Sequence, residues 1–454
     1  MAHITAANSV DQPAGDAFTG TGPDTLIVDA DAFLISESGG NGARLSGAWT
    51  VTINGVVAGF GSVRDGLSVS ALSISDVSNV KVGKTGDIFG DNAGVSLDQA
   101  GTLTNRGSVS GGSLGIKVDG TGNGILTIKN FGSIESNDHA VSLNAGIVNL
   151  FNTGTIKAGA GALSIFGGGE THITNSGKFI GDVLLGNVDD TFTNFAKVGK
   201  TIKSGFVAGE IDLAGGTDSF TGGANSETVR DGGGSDTFKL GGGNDTYLAA
   251  KIFGGADGTD IISGGKGIDT YDASGGSSQT INLKDHTASG GVGNDTITGF
   301  ENVIAGNGGD SLIGSDGANR MTGGTGGDVF DGLGGRDILT GNAGLDEFRF
   351  FALSDSGTKA ASRDFITDFT QGAPGVGDVI DLSAIDAKTG AGNPGDDDFT
   401  FIGVQKFHGV KGELREAFSN GNTIVSGDVN GDGAADFSIA LKGHVLLANT
   451  DFIP

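Results

Sequence analysis

Through the first part of the chain, apolar residues alternate with small polar ones in short runs such as Ile125-Leu-Thr-Ile-Lys and Ala140-Val-Ser-Leu-Asn. Alternation at a period of two reads as a strand with one face buried. The runs recur beside a shared motif: Asn105-Arg-Gly-Ser-Val, Asn130-Phe-Gly-Ser-Ile, Asn152-Thr-Gly-Thr-Ile and Asn175-Ser-Gly-Lys-Phe, with weaker copies starting at Asn54 and Asn79. Counted from Asn54, the intervals are 25, 26, 25, 22 and 23 residues. Several short strands per repeat of this length predict a right-handed parallel β-helix over residues 1–212. Its recurrent Asn can stack as an internal amide ladder. A β-sandwich is the alternative, although its strands need not recur in register.

From Leu213 the period shortens to nine. Blocks run Leu213–Thr221, Gly222–Arg230, Asp231–Lys239 and Leu240–Leu248, then Gly264–Asp272 and Gly290–Thr298. They continue unbroken from Ala305 to Arg349, and the clearest read GGKGIDTYD, GGVGNDTIT and GGTGGDVFD. Glycine admits the positive φ of a tight turn between short strands. The large apolar residue at the eighth position (Phe238, Tyr247, Leu312, Phe330, Phe348) points inward. The sixth position carries an acid in most blocks. Two blocks make one coil, so acids 18 residues apart fall on one edge: Asp310, Asp328 and Asp346 in one file, Asn319 and Asp337 in the other. Likewise Asp218 stacks with Asp236, and Glu227 with Asp245. Hard oxygen donors in this density suit Ca²⁺, which takes about 6–8 of them at about 2.3–2.6 Å. The candidate ligands are Asp218, Glu227, Asp236, Asp245, Asp260, Asp269, Asp295, Asp310, Asp328, Asp337 and Asp346. Stacked carboxylates repel, so the region is expected to fold poorly until a divalent cation bridges them. A flexible Gly/Asp linker is the competing reading, but it has no reason to keep an apolar residue in fixed phase.

Composition sharpens this picture. Gly makes up 88 of 454 residues and Asp plus Glu outnumber Lys plus Arg by 54 to 27, for a net charge of −27. So much Gly disfavours a helical protein, and the 5 Pro exclude collagen. The acidity argues against nucleic acid or an anionic membrane surface as partner. No apolar stretch is long enough for a membrane span, so no membrane insertion is expected. The opening residues show no Sec-type signal peptide, and with 0 Cys there are no disulfides or thiolate metal sites. Residues 213–349 hold 19 acids and 8 bases, net −11, the steepest charge along the chain. The charge therefore belongs to the turns that carry the excess Gly.

Gly264–Arg349 resembles the repeats-in-toxin (RTX) family. That resemblance implies a calcium-binding parallel β-roll, export through a type I secretion exporter, and folding outside the cell. Residues 350–454 resemble the C-terminal domain of serralysin-type secreted proteases. The matching stretches are Arg363-Asp-Phe-Ile-Thr-Asp-Phe, Gly377-Asp-Val-Ile-Asp-Leu-Ser-Ala-Ile-Asp-Ala, Gly412-Glu-Leu-Arg and Ser426-Gly-Asp-Val-Asn-Gly-Asp-Gly-Ala-Ala-Asp-Phe. The ending Asp451-Phe452-Ile453-Pro454 is similar to a type I secretion signal. The expected organisation is an all-β chain: a β-helix (1–212), a β-roll (213–349) and a β-rich secretion domain (350–454).

Catalytic constellations are hard to find. The six His (3, 139, 172, 286, 408 and 444) include no H-E-x-x-H, so the zinc protease of a serralysin is not expected. Gly111-Gly-Ser113-Leu-Gly115 matches a nucleophile elbow in letters, but its strand–turn–helix setting is not expected here. Gly83-Lys84-Thr85 and Gly199-Lys200-Thr201 lack the upstream Gly of a phosphate loop. Asp428 to Asp436 mimics an EF-hand loop, yet position twelve is Ile439, which favours a polar turn. On the β-helix, Glu135, Asp138 and His139 are the best local acid–base candidates, and Glu135 stacks near Lys157. The expected function is non-enzymatic. A secreted calcium-binding solenoid would serve as surface layer, filament or adhesin, self-associating or binding cell-surface polysaccharide. The alternative is a polysaccharide lyase or epimerase acting on the β-helix.

Overall fold

The computed structural model describes residues 1–60, 65–70, 78–97, 100–119, 124–144, 146–165, 169–249, 258–372, 376–389 and 397–454. The described regular structure is strand throughout, apart from two single-turn 3₁₀ segments at Ala6–Asn8 and Asn449–Asp451. Among the described residues no helix is long and apolar enough to cross a membrane. The chain groups into two compact units, Met1–Gly243 and Asn244–Pro454.

The first unit is a parallel solenoid with three strands to a coil. One coil comprises Gly101–Asn105, Ser108–Gly111 and Leu114–Val118; the next comprises Leu126–Asn130, Ser133–Ser136 and His139–Leu143. Strands of these coils pair in parallel with their equivalents in the next coil, which stacks like on like. Leu103, Ile128, Leu150 and Ile173 form one column. Val109, Ile134, Ile156 and Phe179 form a second, and Ile116, Val141, Leu163 and Val183 a third. These side chains are buried; the alternation within each strand sends every second residue into this shared core. Near the end of the unit the coil shortens to two strands, and Phe192, Phe220 and Phe238 stack on one side.

The Asn motif is in register from Asn105 onward, where Asn105, Asn130, Asn152 and Asn175 occupy one column. The weaker copies at Asn54 and Asn79 are not members. Ile53 and Val82 hold that column in the earlier coils, and Asn79 pairs with Thr102. Coil lengths vary there, so sequence spacing alone put the amides one or more residues out of phase. The two Gly-Lys-Thr runs are turns. One follows the strand Ser78–Val82, and the other joins the antiparallel strands Phe195–Val198 and Thr201–Ser204.

The second unit is a two-strand roll. Ile281, Leu312, Phe330, Phe348, Ile380 and Phe452 make one column. Tyr247, Tyr271, Val303, Met321, Leu339 and Ile366 make the other. Both columns therefore run past Arg349 into the segment without nonapeptides. An antiparallel set, Glu413–Ser419, Asn422–Asp428 and Phe437–Lys442, joins the roll through Ile366 and Leu441. The block Gly290–Thr298 departs from its neighbours: Gly290 and Gly293 close an antiparallel hairpin of Thr287–Gly290 with Gly293–Thr298.

Candidate metal centre

In each repeat the acid precedes the inward apolar residue by two positions, as Asp328 precedes Phe330 and Asp337 precedes Leu339. Residues two apart on a strand share a face. The acid therefore enters the core side of the strand instead of standing on an exposed edge. All eleven candidate ligands are buried, none more than 4 % exposed.

In most of the files one carboxylate oxygen plays the same part, accepting the backbone N–H of the equivalent residue one coil earlier. Asp310 N donates to Asp328 Oδ1 at 2.9 Å, and Asp328 N donates to Asp346 Oδ1 at 2.9 Å. On the opposite edge Asn319 N donates to Asp337 Oδ1 at 2.7 Å. Asp218 N donates to Asp236 at 2.6 Å, Asp245 N to Asp269 at 2.8 Å and Asp260 N to Asp295 at 3.1 Å. The structure thus brings the sequence-predicted acids into files. Glu227 differs, accepting the side-chain amide of Asn194 at 2.8 Å. Asp295 also differs, because the Tyr271 hydroxyl donates to its second oxygen at 3.0 Å.

The files are longer than the nonapeptide frame showed. Asp190 N donates to Asp218 Oδ1, Gln279 N to Asp310, Asp269 N to Glu301, Asp337 N to Asp364 and Asp346 N to Asp378. Each added member again sits two residues before a buried apolar side chain: Phe192, Ile281, Val303, Ile366 and Ile380. Asp190 holds the sixth place of the near-nonapeptide Leu185–Thr193; for the others this short signal was present, but glycine framing hid it outside the regular blocks. Asp231, in a first position where Gly is usual, is also buried, beside the Asp236 carboxyl.

The second oxygen carries the chemistry. Asp218, Asp269, Asp310, Asp337 and Asp364 each keep a buried Oδ2 with no hydrogen-bond partner. An orphaned buried oxygen is costly unless it is protonated or meets a cation. In the glycine turns, an added Cβ at Gly323, Gly332 or Gly341 would lie 2.2, 2.4 or 2.2 Å from Oδ2 of Asp328, Asp337 or Asp346. Only a missing side chain leaves room for the carboxylate. A Cβ on Gly344 would fall 1.4 Å from the Gly326 carbonyl oxygen and 2.8 Å from Asp346 Oδ1. Backbone carbonyl and carboxylate thus converge on one space between stacked turns. An oxygen-only donor set of this kind fits Ca²⁺.

Burial raises these carboxyls above their ordinary range. Asp218 is pushed up to about 8, with further upward pressure from the Asp236 and Asp190 charges. Desolvation likewise lifts Asp337 to about 7 and Asp346 to about 6. Asp364 rises to about 8, with the Asp337 charge as the next cause. In the absence of a cation, burial favours the protonated form of these carboxyls. A cation would take the place of those protons.

The loop Asp428–Asp436 is arranged otherwise. Asp428 accepts the N–H groups of Gly431 and Gly433 at 2.7 and 2.8 Å, and Asp436 accepts that of Val429 at 2.8 Å. Its carboxylates close a polar turn on themselves.

Residues 260–454 match the family model of the peptidase M10 serralysin C terminal, somewhat less than half of the chain. No curated protein matches the chain. The matched part holds the second unit's acid files from Asp260 to Asp378. Over these residues the chain is similar to that C-terminal domain, and the structure there is a parallel β-roll.

Proposed function

We propose that the chain leaves a bacterial cell unfolded through a type I exporter, folds outside on calcium, and serves there as a structural or binding protein without catalysing a reaction. The observation that carries this reading is the run of buried carboxylates whose Oδ2 atoms lack partners beside stacked turn carbonyls. Extracellular calcium modules work at about 10⁻⁴–10⁻³ M, far above cytosolic calcium, so filling is confined to the outside. Folding coupled to that filling makes export one-way. A surface layer, filament or adhesin is the role this favours. The hairpin Phe195–Ser204, which leaves Val198 and Ile202 exposed, offers apolar surface for association.

The acid–base grouping of the β-helix lends no support to catalysis. His139 Nδ1 lies 3.2 Å from Asp138 Oδ1, but the residues stacked on His139 are Leu114 and Gly161. General acid–base chemistry needs its groups gathered around one substrate position. The test is a calcium titration of the whole chain, followed by light scattering and electron microscopy. Folding and then growth into lattices or fibres is expected for a surface layer or filament; folding without growth leaves the adhesin. Unsaturated sugars or altered uronate stereochemistry on incubation with polyanionic glycans would overturn the non-catalytic reading.

A further inference from the structure

The β-helix unit carries a groove unrelated to the acid files. It arises where the chain bends sharply between two strands of each coil, as between Ser108–Gly111 and Leu114–Val118. A Cβ at Gly111 would stand 1.7 Å from the Leu114 carbonyl oxygen, so the bend tolerates no side chain there. Gly111, Ser136 and Ala158 follow one another along the floor, and the resulting trough has a volume of about 520 Å³.

One rim is a single column of outward side chains, one per coil. Phe89 pairs with Ser110, Ser110 with Glu135, and Glu135 with Lys157. The other rim carries Asp91 and Asn137. Parallel strands lie about 4.8 Å apart, so four coils give a trough about 14 Å long, parallel to the stacking direction. At its Phe89 end the ring packs on Phe60 with centroids 5.2 Å apart, and Phe60 is itself exposed.

The chemistry narrows the occupant. A peptide adding as a strand needs an open sheet edge, but the strands under the groove are hydrogen-bonded on both sides. Nucleic acid would meet Asp91 and Glu135, with Lys157 the one base in the lining. A polyhydroxylated chain fits. Carboxylates accept pairs of hydroxyl hydrogens, the Asn amide both donates and accepts, and an aromatic face covers the C–H side of a sugar ring. The spacing of one functional side chain per coil also suits a repeating polymer.

We propose that this trough binds a neutral hexose oligosaccharide along the stacking direction, with Phe89 as the stacking platform and Glu135, Asp91 and Asn137 as hydroxyl partners. The inference rests on the non-catalytic reading above and identifies what such a protein would hold. The test is calorimetric titration of the calcium-loaded full chain with hexaoses of glucose, mannose and galactose, and with a uronate hexaose for comparison. At least one neutral hexaose is expected to bind. Phe89→Ala and Glu135→Gln should each weaken it by about ten-fold or more, while Phe206→Ala, outside the trough, leaves it unchanged. Glu135 is exposed, so its variant is expected to fold, as circular dichroism would check. No neutral hexaose binding, binding of the uronate alone, or unchanged affinity in Glu135→Gln would each overturn the proposal. Intact hexaose recovered after binding agrees with both readings. Cleavage that disappears in Glu135→Gln would keep the groove and overturn the non-catalytic role.

Discussion

Asn194 Nδ2 donates to Glu227 Oε1 at 2.8 Å, and both residues are buried. This bond joins the amide ladder to a buried carboxyl side chain. Before it, Asn105, Asn130, Asn152, Asn175 and Asn194 pass side-chain amide bonds from coil to coil at 2.7–2.9 Å. Amides satisfy one another without a cation; carboxylates cannot. The solenoid thus changes its means of satisfying buried polar groups partway along the first unit.

The ladder is expected to be cooperative. Asn152→Ala leaves the Asn130 amide N–H and the Asn175 oxygen with one partner fewer, and frees the Lys178 carbonyl. A loss of about 2–4 kcal/mol is expected, since each unsatisfied buried group costs about 1–3 kcal/mol. Thermal unfolding of the variant in saturating calcium measures it. A change within experimental error would show that the ladder is not stabilising.

Calcium removal should act unevenly. With chelator, amides of the ladder coils (residues 101–184) should keep their hydrogen-exchange protection longer than those of residues 305–349. The first segment holds neutral partners and the second holds acid files. Equal loss of protection in both would contradict the distinction.

The pH response of the calcium-free chain follows from the raised carboxyls. Asp218, Asp337 and Asp364 hold protons in the folded state to about 8, 7 and 8, against an ordinary value of 3.8. The folded state binds more protons than the unfolded one across that window. Stability therefore falls as pH rises from about 4 to about 8, and is largest at the acid end. Chelated protein melted at pH 5 and at pH 8 should show the higher midpoint at pH 5. Calcium affinity should run the other way, rising with pH as protons cease to compete.

Two glycines of one roll separate packing from ligation. Gly323→Ala places a methyl 2.2 Å from Asp328 Oδ2 and should displace that carboxylate, weakening calcium-dependent folding by several-fold in midpoint concentration. Gly317→Ala meets nothing closer than 3.7 Å and should leave the midpoint unchanged. Equal effects would mean that the crowding at Gly323 has no bearing on the metal.

Much of this protein can be read from local order. The alternation Leu126-Thr-Ile-Lys-Asn is the burial pattern of that strand, and the inward series from Phe238 to Phe348 is the core of the rolls. Both follow from strand geometry, which needs only neighbouring residues. The pairing of Asp310 with Asp328 also follows, because a constant interval of 18 residues makes one coil like the next. Where intervals vary, sequence order does not reveal which residues stack. Asn54 and Asn79 read as ladder members, whereas Ile53 and Val82 hold the column. Glu301, Asp364 and Asp378 extend the files without a nonapeptide around them. The trough of Phe89, Glu135 and Lys157 joins residues 46 and 22 positions apart. Tertiary structure alone decided these points, because register between coils depends on the length of every intervening turn. It also decided that the acids lie inside, with one oxygen bonded to backbone, where a composition count can only record their charge.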